Sequence, residues 1–466
     1  MRGIYIPTLQ GGNVMRKVDV VVIGGGASGL QAAITTKSTY PEKEVVLIRK
    51  EKQVLIPCGI PYIFGSLTDS SKDILPDKPL TSVGVEIIID EVTDIEVKNH
   101  ICKTASGETF NYEKLILALG SKPTLPSWLK GANLKNVFTI PKNKLYLDDM
   151  LSKLKTVKKI TVIGAGFIGV EVSDELNKKG FEVTLVEIEK TILSKAFDEE
   201  FGKLAENHLC KRGVNLITGK GVAEIKGKDG KVEKVILNSG EELDSDAVIL
   251  SMGYAPNTEI ATKAGIELNQ FGFIKTCEYM RVLPCSDDII AVGDCAEKRD
   301  FITRKLDRTM LASTACAEAR TGGMNLYTLS PCKPFTGTIA IYATSIGKHA
   351  FGTAGITEAK AIAENFAIIS GSFTGVDTHP GNMENTHVQT VKLIVASDCG
   401  MILGGEVYGG FSTGELTNAI GFLIQNRVTV KALLTMQIGT QPLLTGSPAG
   451  YPLIKAAEVI VKKMRK

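Results

Sequence analysis

The sequence has no Cys-x-x-Cys pair, no apolar run long enough to cross a bilayer, and no marked excess of either charge. Each absence excludes something. The cysteines are scattered (Cys58, Cys102, Cys210, Cys277, Cys285, Cys295, Cys316, Cys332 and Cys399), without the doublets that hold zinc or an iron–sulfur cluster. No metal site is expected. Their odd number argues against a disulfide scaffold, and most read as small buried hydrophobes. Lys+Arg 54 against Asp+Glu 51 leaves a net charge of +3, too balanced for nucleic acid or an anionic membrane as the main partner. The basic clusters in 153–159 and 462–466 read as solvated faces. Residues 1–14 contain glycine and proline but no apolar run of signal-peptide length. They read as an extension ahead of Met15, and the chain is expected to be cytoplasmic with no membrane span. What is there is 466 residues, 44% hydrophobic and 23% charged, enough for two or three domains with well-filled cores.

Residues 18–23 are a short β-branched run that ends in Gly24-Gly25-Gly26-Ala27-Ser28-Gly29. Leu30, Ala32, Ala33 and Ile34 follow at helical spacing, so the segment reads as strand, tight turn, helix. The first glycine permits the turn, the second lets a pyrophosphate approach the backbone, and the third lets helix and strand pack closely. The helix N-terminus then offers unpaired N–H groups and a positive dipole end to the phosphate. The pattern recurs: residues 160–163 lead into Gly164-Ala165-Gly166-Phe167-Ile168-Gly169 and a helix with Val170, Val172 and Leu176. The strand after it, 181–186, ends at Glu187. An acid there is placed to accept hydrogen bonds from an adenosine ribose 2′-hydroxyl and to repel a 2′-phosphate, so this site is expected to prefer NADH over NADPH. At the first turn Arg49 stands where the acid is expected. Either Glu51 serves instead or the ribose is held otherwise.

Two such units in one chain resemble the pyridine nucleotide–disulfide oxidoreductase family. Further segments fit it. Ile116-Leu117-Ala118-Leu119-Gly120-Ser121-Lys122-Pro123 resembles the strand and turn closing the family's first domain, and residues 248–256, with Gly253, resemble the counterpart in the second. Ile290-Ala291-Val292-Gly293-Asp294 resembles the second FAD motif, whose aspartate bonds the ribityl chain and whose following helix N-terminus faces the pyrophosphate. The resemblance implies an α/β fold with two Rossmann-like dinucleotide-binding domains and an α+β C-terminal interface domain that builds a homodimer. The FAD domain would comprise 15–145 and 272–330, the NADH domain 146–271, and the interface domain 331–466, with strands at 339–342 and 391–395. It implies an FAD site at Gly24, Gly26, Ala27, Ser28, Gly29, Arg49, Gly120 and Asp294. It implies an NADH site at Gly164, Gly166, Phe167, Gly169, Glu187 and Gly253, with Phe167 as the family's aromatic gate over the flavin.

The segment Val54-Leu55-Ile56-Pro57-Cys58-Gly59-Ile60-Pro61-Tyr62 carries the redox expectation. Cys58 lies 34 residues after Gly24, in the range where the family places its redox cysteine. Gly59 and Pro61 suit the opening of a helix, whose N-terminus would favour the thiolate. The segment resembles the single-cysteine branch: coenzyme A–disulfide reductases, CoA persulfide reductases and archaeal NADH oxidases. A lone thiolate must cycle through a mixed disulfide with substrate or through a sulfenic acid. Peroxidase-like members usually carry a histidine in the first glycine turn, where this chain has Ala27 and Ser28.

The chain also departs from that branch. Its coenzyme A–disulfide reductases place two interface-domain tyrosines near the partner's cysteine. Here the corresponding stretches read Asp377-Thr378-His379-Pro380-Gly381 and Gln437-Ile438-Gly439-Thr440-Gln441-Pro442. His379, reaching across from the other subunit, could supply the acid instead, since its ordinary pKa suits proton transfer near neutrality. The expected reaction passes electrons from NADH through FAD to a CoA-linked disulfide, persulfide or polysulfide by way of Cys58. The competing expectations are an oxidoreductase serving a ferredoxin-like iron–sulfur protein or oxygen without a cysteine step, and a redox-sensing flavoprotein.

Overall fold

The structure, a computed structural model, describes residues 15–284, 286–329 and 332–465. The strand Met15–Ile23 carries Val20, Val21 and Val22 fully buried, the signature of a parallel strand covered on both faces. It pairs in parallel with Val45–Arg49 and with Thr109–Leu117. Glu86–Ile89 and Ile289–Ala291 extend this sheet in parallel, so it takes a strand from far along the chain. A second, all-parallel sheet runs in the order Asn215–Ile217, Glu182–Val186, Lys159–Ile163, Ala247–Leu250, Val137–Thr139. Its outer strand, Val137–Thr139, comes before residue 146, where the NADH domain was expected to begin.

The two segments that resemble domain closures pair with each other. Tyr254–Pro256 runs antiparallel to Ser121–Pro123, with Ala255 opposite Lys122, and ties the two nucleotide-binding units together. The third unit is a five-stranded antiparallel sheet in the order Tyr342–Ile346, His349–Gly355, Ile402–Gly409, Val388–Ala396, Ile368–Val376. Its first strand starts at Tyr342 rather than 339, because Ala340 adopts a left-handed φ of 57° that breaks the extended run. The helices Thr413–Gln425 and Pro452–Met464 bury Ile420, Ile424, Ala457 and Ile460 against this sheet.

Two local expectations are corrected. No helix follows Asp294 directly: Gly293–Cys295 is one 3-10 turn, and the next long helix is Ala312–Met324. The chain becomes extended at Ala296 and the Glu297 N–H donates to the Ile274 carbonyl at 2.8 Å, while the fully buried Lys298 ammonium takes the carbonyls of Gly293 and Ala296 at 2.6 and 3.1 Å, along with Glu318 at 3.2 Å. Likewise the helix after Cys58 is only the five-residue 3-10 segment Ile60–Phe64.

That short segment is nevertheless well fixed. Leu55, Ile60, Ile63 and Phe64 are buried in one cluster with Val170, Val172 and Leu176 of the helix Phe167–Lys178. The cysteine segment of the first unit is thus seated on the helix that opens the second glycine turn. Burial of each such side chain stabilises the fold by about 2 kcal/mol.

A buried charge cluster joins the second and third units. Lys392, on the third sheet, reaches Asp198 at 2.9 Å, Glu200 at 2.9 Å and Glu358 at 2.8 Å. Glu406 is fully buried beside it, 3.8 Å from the ammonium, and accepts the Asp198 N–H at 2.6 Å. Burial, then the Asp198 charge, pushes the Glu406 carboxyl up to about 9. Its folded value therefore lies above the unfolded one, so its contribution to stability is full below about pH 4.3 and is lost as pH rises toward 9. Glu406→Gln removes this titration. The unfolding free energy of the variant relative to wild type should rise steadily between pH 5 and 9, by up to about 1 kcal/mol per pH unit, and its melting temperature with it. A pH-independent difference in a thermal-unfolding series contradicts the protonated assignment.

Candidate active site

Both glycine turns repeat one close approach. A Cβ on Gly24 would lie 2.2 Å from the Ala118 carbonyl oxygen, and one on Gly164 would lie 2.6 Å from that of Ser251. Their φ values of 110° and 98° are in the region that favours glycine. Behind them a Cβ on Gly29 would strike the Gly24 oxygen at 1.9 Å, and one on Gly169 the Gly164 oxygen at 1.8 Å. The middle glycines differ: Gly26 and Gly166 face open space, with nothing within 4 Å of an added Cβ. Each begins a helix, Ala27–Thr39 or Phe167–Lys178, whose first N–H groups face outward.

The two turns open onto one cleft of about 1930 Å³. It is lined by Gly24, Gly26, Ala27, Ser28, Arg49, Cys58, Gly120, Gly164, Gly166, Phe167, Glu187, Gly253 and Asp294. Gly29 and Gly169 pack behind the turns. His379 does not line this cleft in its own chain. It sits in the third unit, where its Nδ1 is 2.8 Å from the Thr445 carbonyl and its N–H donates to that of Pro442.

A dinucleotide-binding chemistry fits these residues. The cradles at Gly26 and Gly166 are open, and the cleft has room for two extended nucleotides. Arg49 is buried, and its terminal nitrogens hold Asp77 at 2.6 and 2.8 Å. Its Nε is buried and has no partner among the described residues at the first turn, where its side chain packs on Gly25. Arg49 and Glu51 both line the cleft at this turn. At the second turn Glu187 accepts the Ala165 N–H at 2.5 Å and the Glu189 N–H at 2.9 Å. Asp294 accepts from Ser121 Oγ at 2.7 Å and Lys142 Nζ at 2.6 Å. Burial works to raise its carboxyl, but the Lys142 charge and the two hydrogen bonds hold it below the usual carboxylate range. It stays ionised, ready to accept from a ligand hydroxyl.

Cys58 is exposed at the cleft wall, and no other cysteine lines the cleft among the described residues. The thiolate expectation is not met by its surroundings. The residue is open to the cleft, but the packing around its sulfur strips away part of its water; that desolvation, then the Glu171 charge, pushes the thiol up, and Asp73 and Asp294 add to the effect against Lys142. A five-residue 3-10 segment offers too little dipole to overcome three carboxylates. Phe167 stacks on Tyr342 of the third unit, centroids 4.8 Å apart and planes 12° apart. Tyr342 lines the cleft with it.

The sequence reading missed Ser121 as a site residue, and also Lys142, Glu171, Asp73 and Tyr342. Ser121 lies inside a segment that resembles a domain closure, and Glu171 two residues after Gly169, so proximity to a motif was their signal. Lys142, Asp73 and Tyr342 lie in no motif and reach the site only through tertiary packing.

The comparisons agree with this geometry. Residues 18–319 match the family "Pyridine nucleotide-disulphide oxidoreductase", and residues 343–449 match its dimerisation domain. The chain is 30% identical over 461 residues to an NADH oxidase of Methanocaldococcus jannaschii, covering 95% of this chain and 99% of that one. It is 29% identical over 458 residues to an NAD(P)H coenzyme A polysulfide/persulfide reductase of Pyrococcus horikoshii, covering 97% of this chain and 100% of the other. The solved structure of an NAD-dependent persulfide reductase from A. fulgidus superposes with a TM-score of 0.87 at 27% identity, covering 96% of this chain and 84% of that one. The chain belongs to the pyridine nucleotide–disulfide oxidoreductase family, FAD-dependent enzymes that take electrons from a nicotinamide nucleotide.

Proposed function

We propose that this enzyme uses NADH to reduce a CoA-linked disulfide, persulfide or polysulfide through a mixed disulfide on Cys58. The observation that carries this reading is the single exposed thiol in a cleft shared by both glycine turns. Bound FAD supplies the two-electron relay between nicotinamide and sulfur. The chain's part is to position and to manage charge. Gly24, Gly26, Ala27, Ser28, Gly29, Arg49, Gly120 and Asp294 would hold FAD. Gly164, Gly166, Phe167, Gly169, Glu187 and Gly253 would hold NADH. The Lys142 charge opposes that of the surrounding carboxylates at Cys58, and so favours the attacking thiolate.

A homodimer suits the third unit, which leaves Phe411, Phe422, Leu443 and Leu444 exposed on its surface. His379, hydrogen-bonded to the Pro442 and Thr445 carbonyls that flank Leu443 and Leu444, would approach a second copy's cleft across that interface. The names of the relatives from Pyrococcus horikoshii and A. fulgidus support a persulfide or polysulfide as substrate.

Two outcomes test this reading. Cys58→Ser should lower NADH-dependent reduction of CoA disulfide or persulfide at least about a hundredfold while dye reduction by NADH persists. Undiminished turnover of these substrates by Cys58→Ser overturns the mixed-disulfide reading, and undiminished ferredoxin reduction in its place favours a protein acceptor. Glu187→Arg should lower the ratio of kcat/KM for NADH over NADPH by roughly tenfold or more, because the carboxylate that repels a 2′-phosphate is replaced by a cation. An unchanged ratio contradicts the role given to Glu187.

A further inference from the structure

Glu171 stands in a wall between two cavities. On one side is the redox cleft, which it lines with Cys58 and Tyr62. On the other is a polar recess of about 130 Å³, lined by Tyr62, Glu171, Asp174, Glu175, Ser345 and Gly347, with Ser66, Lys178 and Arg212 at its exposed rim. Glu171 and Tyr62 are the residues common to both.

The other carboxylates of the recess are committed. Asp174 is paired with the Arg212 guanidinium and accepts the Gly347 N–H at 3.3 Å. Glu175 takes the Ser66 N–H and, at 2.9 Å, the Ser66 hydroxyl, which Lys178 also reaches at 2.8 Å. Glu171 accepts one hydrogen bond among the described residues, from Thr344 Oγ1 at 2.7 Å on Oε1, and no cation pairs with it. Its second oxygen is free to gain or lose a proton. Burial, then the Glu175 charge, pushes its carboxyl up to about 7 against the Thr344 hydrogen bond. Tyr62, pushed up to about 12 by burial and by Glu171, stays a hydroxyl donor in the same wall.

The titratable groups around Glu171 come from several elements. Cys58, Tyr62 and Asp73 belong to the cysteine segment and the turn after it. Asp174, Glu175 and Lys178 lie on its own helix. Arg212 comes from the end of the helix Glu199–Lys211, and Lys142 and Asp294 from across the cleft. Glu171 raises the Cys58 thiol, so a proton on Glu171 and a thiolate at Cys58 favour each other.

We propose that Glu171 is the proton-carrying group of the redox cleft, loading from solvent through the recess and delivering to the departing sulfur at Cys58. The inference rests on the Cys58 reading above. The Cys58 thiolate attacks one sulfur of the substrate, the substrate S–S bond breaks, and the first thiolate leaves. An electron pair originating in NADH then breaks the new bond between Cys58 and the second sulfur, restoring the Cys58 thiolate. The two leaving thiolates need two protons. One arrives with the hydride of NADH and the other comes from solvent through Glu171, so each NADH oxidised consumes one external proton. Glu171 thereby supplies an acid that this chain carries itself, without the interface-domain tyrosines.

The test is the rate of Cys58 alkylation by iodoacetamide between pH 5 and 10 in the FAD-loaded protein, read by mass spectrometry. Wild type should show an inflection near neutrality below that of the thiol itself. Glu171→Gln should lose that inflection, matching wild type near pH 5 and reacting roughly tenfold faster at about pH 8 to 9, where the wild-type carboxyl is ionised and opposes the thiolate. Glu171→Asp should restore an inflection at shifted pH, and Asp73→Asn should leave it in place. A Glu171→Gln profile that superimposes on wild type, or an inflection lost in Asp73→Asn instead, overturns the proposal. This readout needs no substrate turnover, so its failure is distinct from that of the mixed-disulfide reading, which Cys58→Ser addresses.

Discussion

The approach of backbone to backbone at Gly24 and Gly164 is the constraint on which the rest of the molecule depends. Any Cβ at these turns would overlap the carbonyl of the neighbouring strand, and any at Gly29 or Gly169 would overlap the turn itself. With no side chain in the way, each helix drops onto its sheet and its N-terminus points into the cleft. Open space is then left at Gly26 and Gly166. The same geometry, built twice and bridged by the pairing of Ser121–Pro123 with Tyr254–Pro256, brings two phosphate cradles to one cavity. Cys58 reaches that cavity because its segment packs on the helix of the second turn.

Much of this was legible in the sequence, and the reason is local. A glycine at a positive φ or a close approach is hard to replace, so Gly24 and Gly164 announce themselves by spacing within short strand–turn–helix segments, and Gly120 and Gly253 within strand–turn–strand segments. Cys58 was legible for its position and its flanking Gly59 and Pro61. Less legible was what tertiary packing decides. The helix expected after Asp294 stops after one turn because Ala296 and Glu297 pair with Ile274, a contact that no local pattern announces. The strand Val137–Thr139 pairs across what reads as a domain boundary. Lys142, Asp73 and Tyr342 come from segments with no motif. Their roles arise from who their neighbours are.

The electrostatics of the cleft follow from this assembly. Carboxylates outnumber cations around Cys58, and Lys142 is shared with Asp294 and Ser121. Desolvation and that charge balance push the sulfur toward its thiol form. The second and third units are joined by a different charge cluster, centred on Lys392, in which Glu406 stays protonated at neutrality. In both places burial, more than any single ion pair, sets the protonation state. Phe167 is held by Tyr342 of the third unit, so the position of the cleft's aromatic wall depends on the same docking.

The central claim is that both nucleotides converge on Cys58 in the one cleft. A crystal structure of the protein with FAD and NADH bound tests it most directly. The account predicts one pyrophosphate at Gly26 and the other at Gly166, Asp294 bonded to the ribityl chain, and the flavin ring lying between Phe167 and Cys58. A flavin out of reach of the Cys58 sulfur, or either pyrophosphate seated away from its glycine turn, would contradict it.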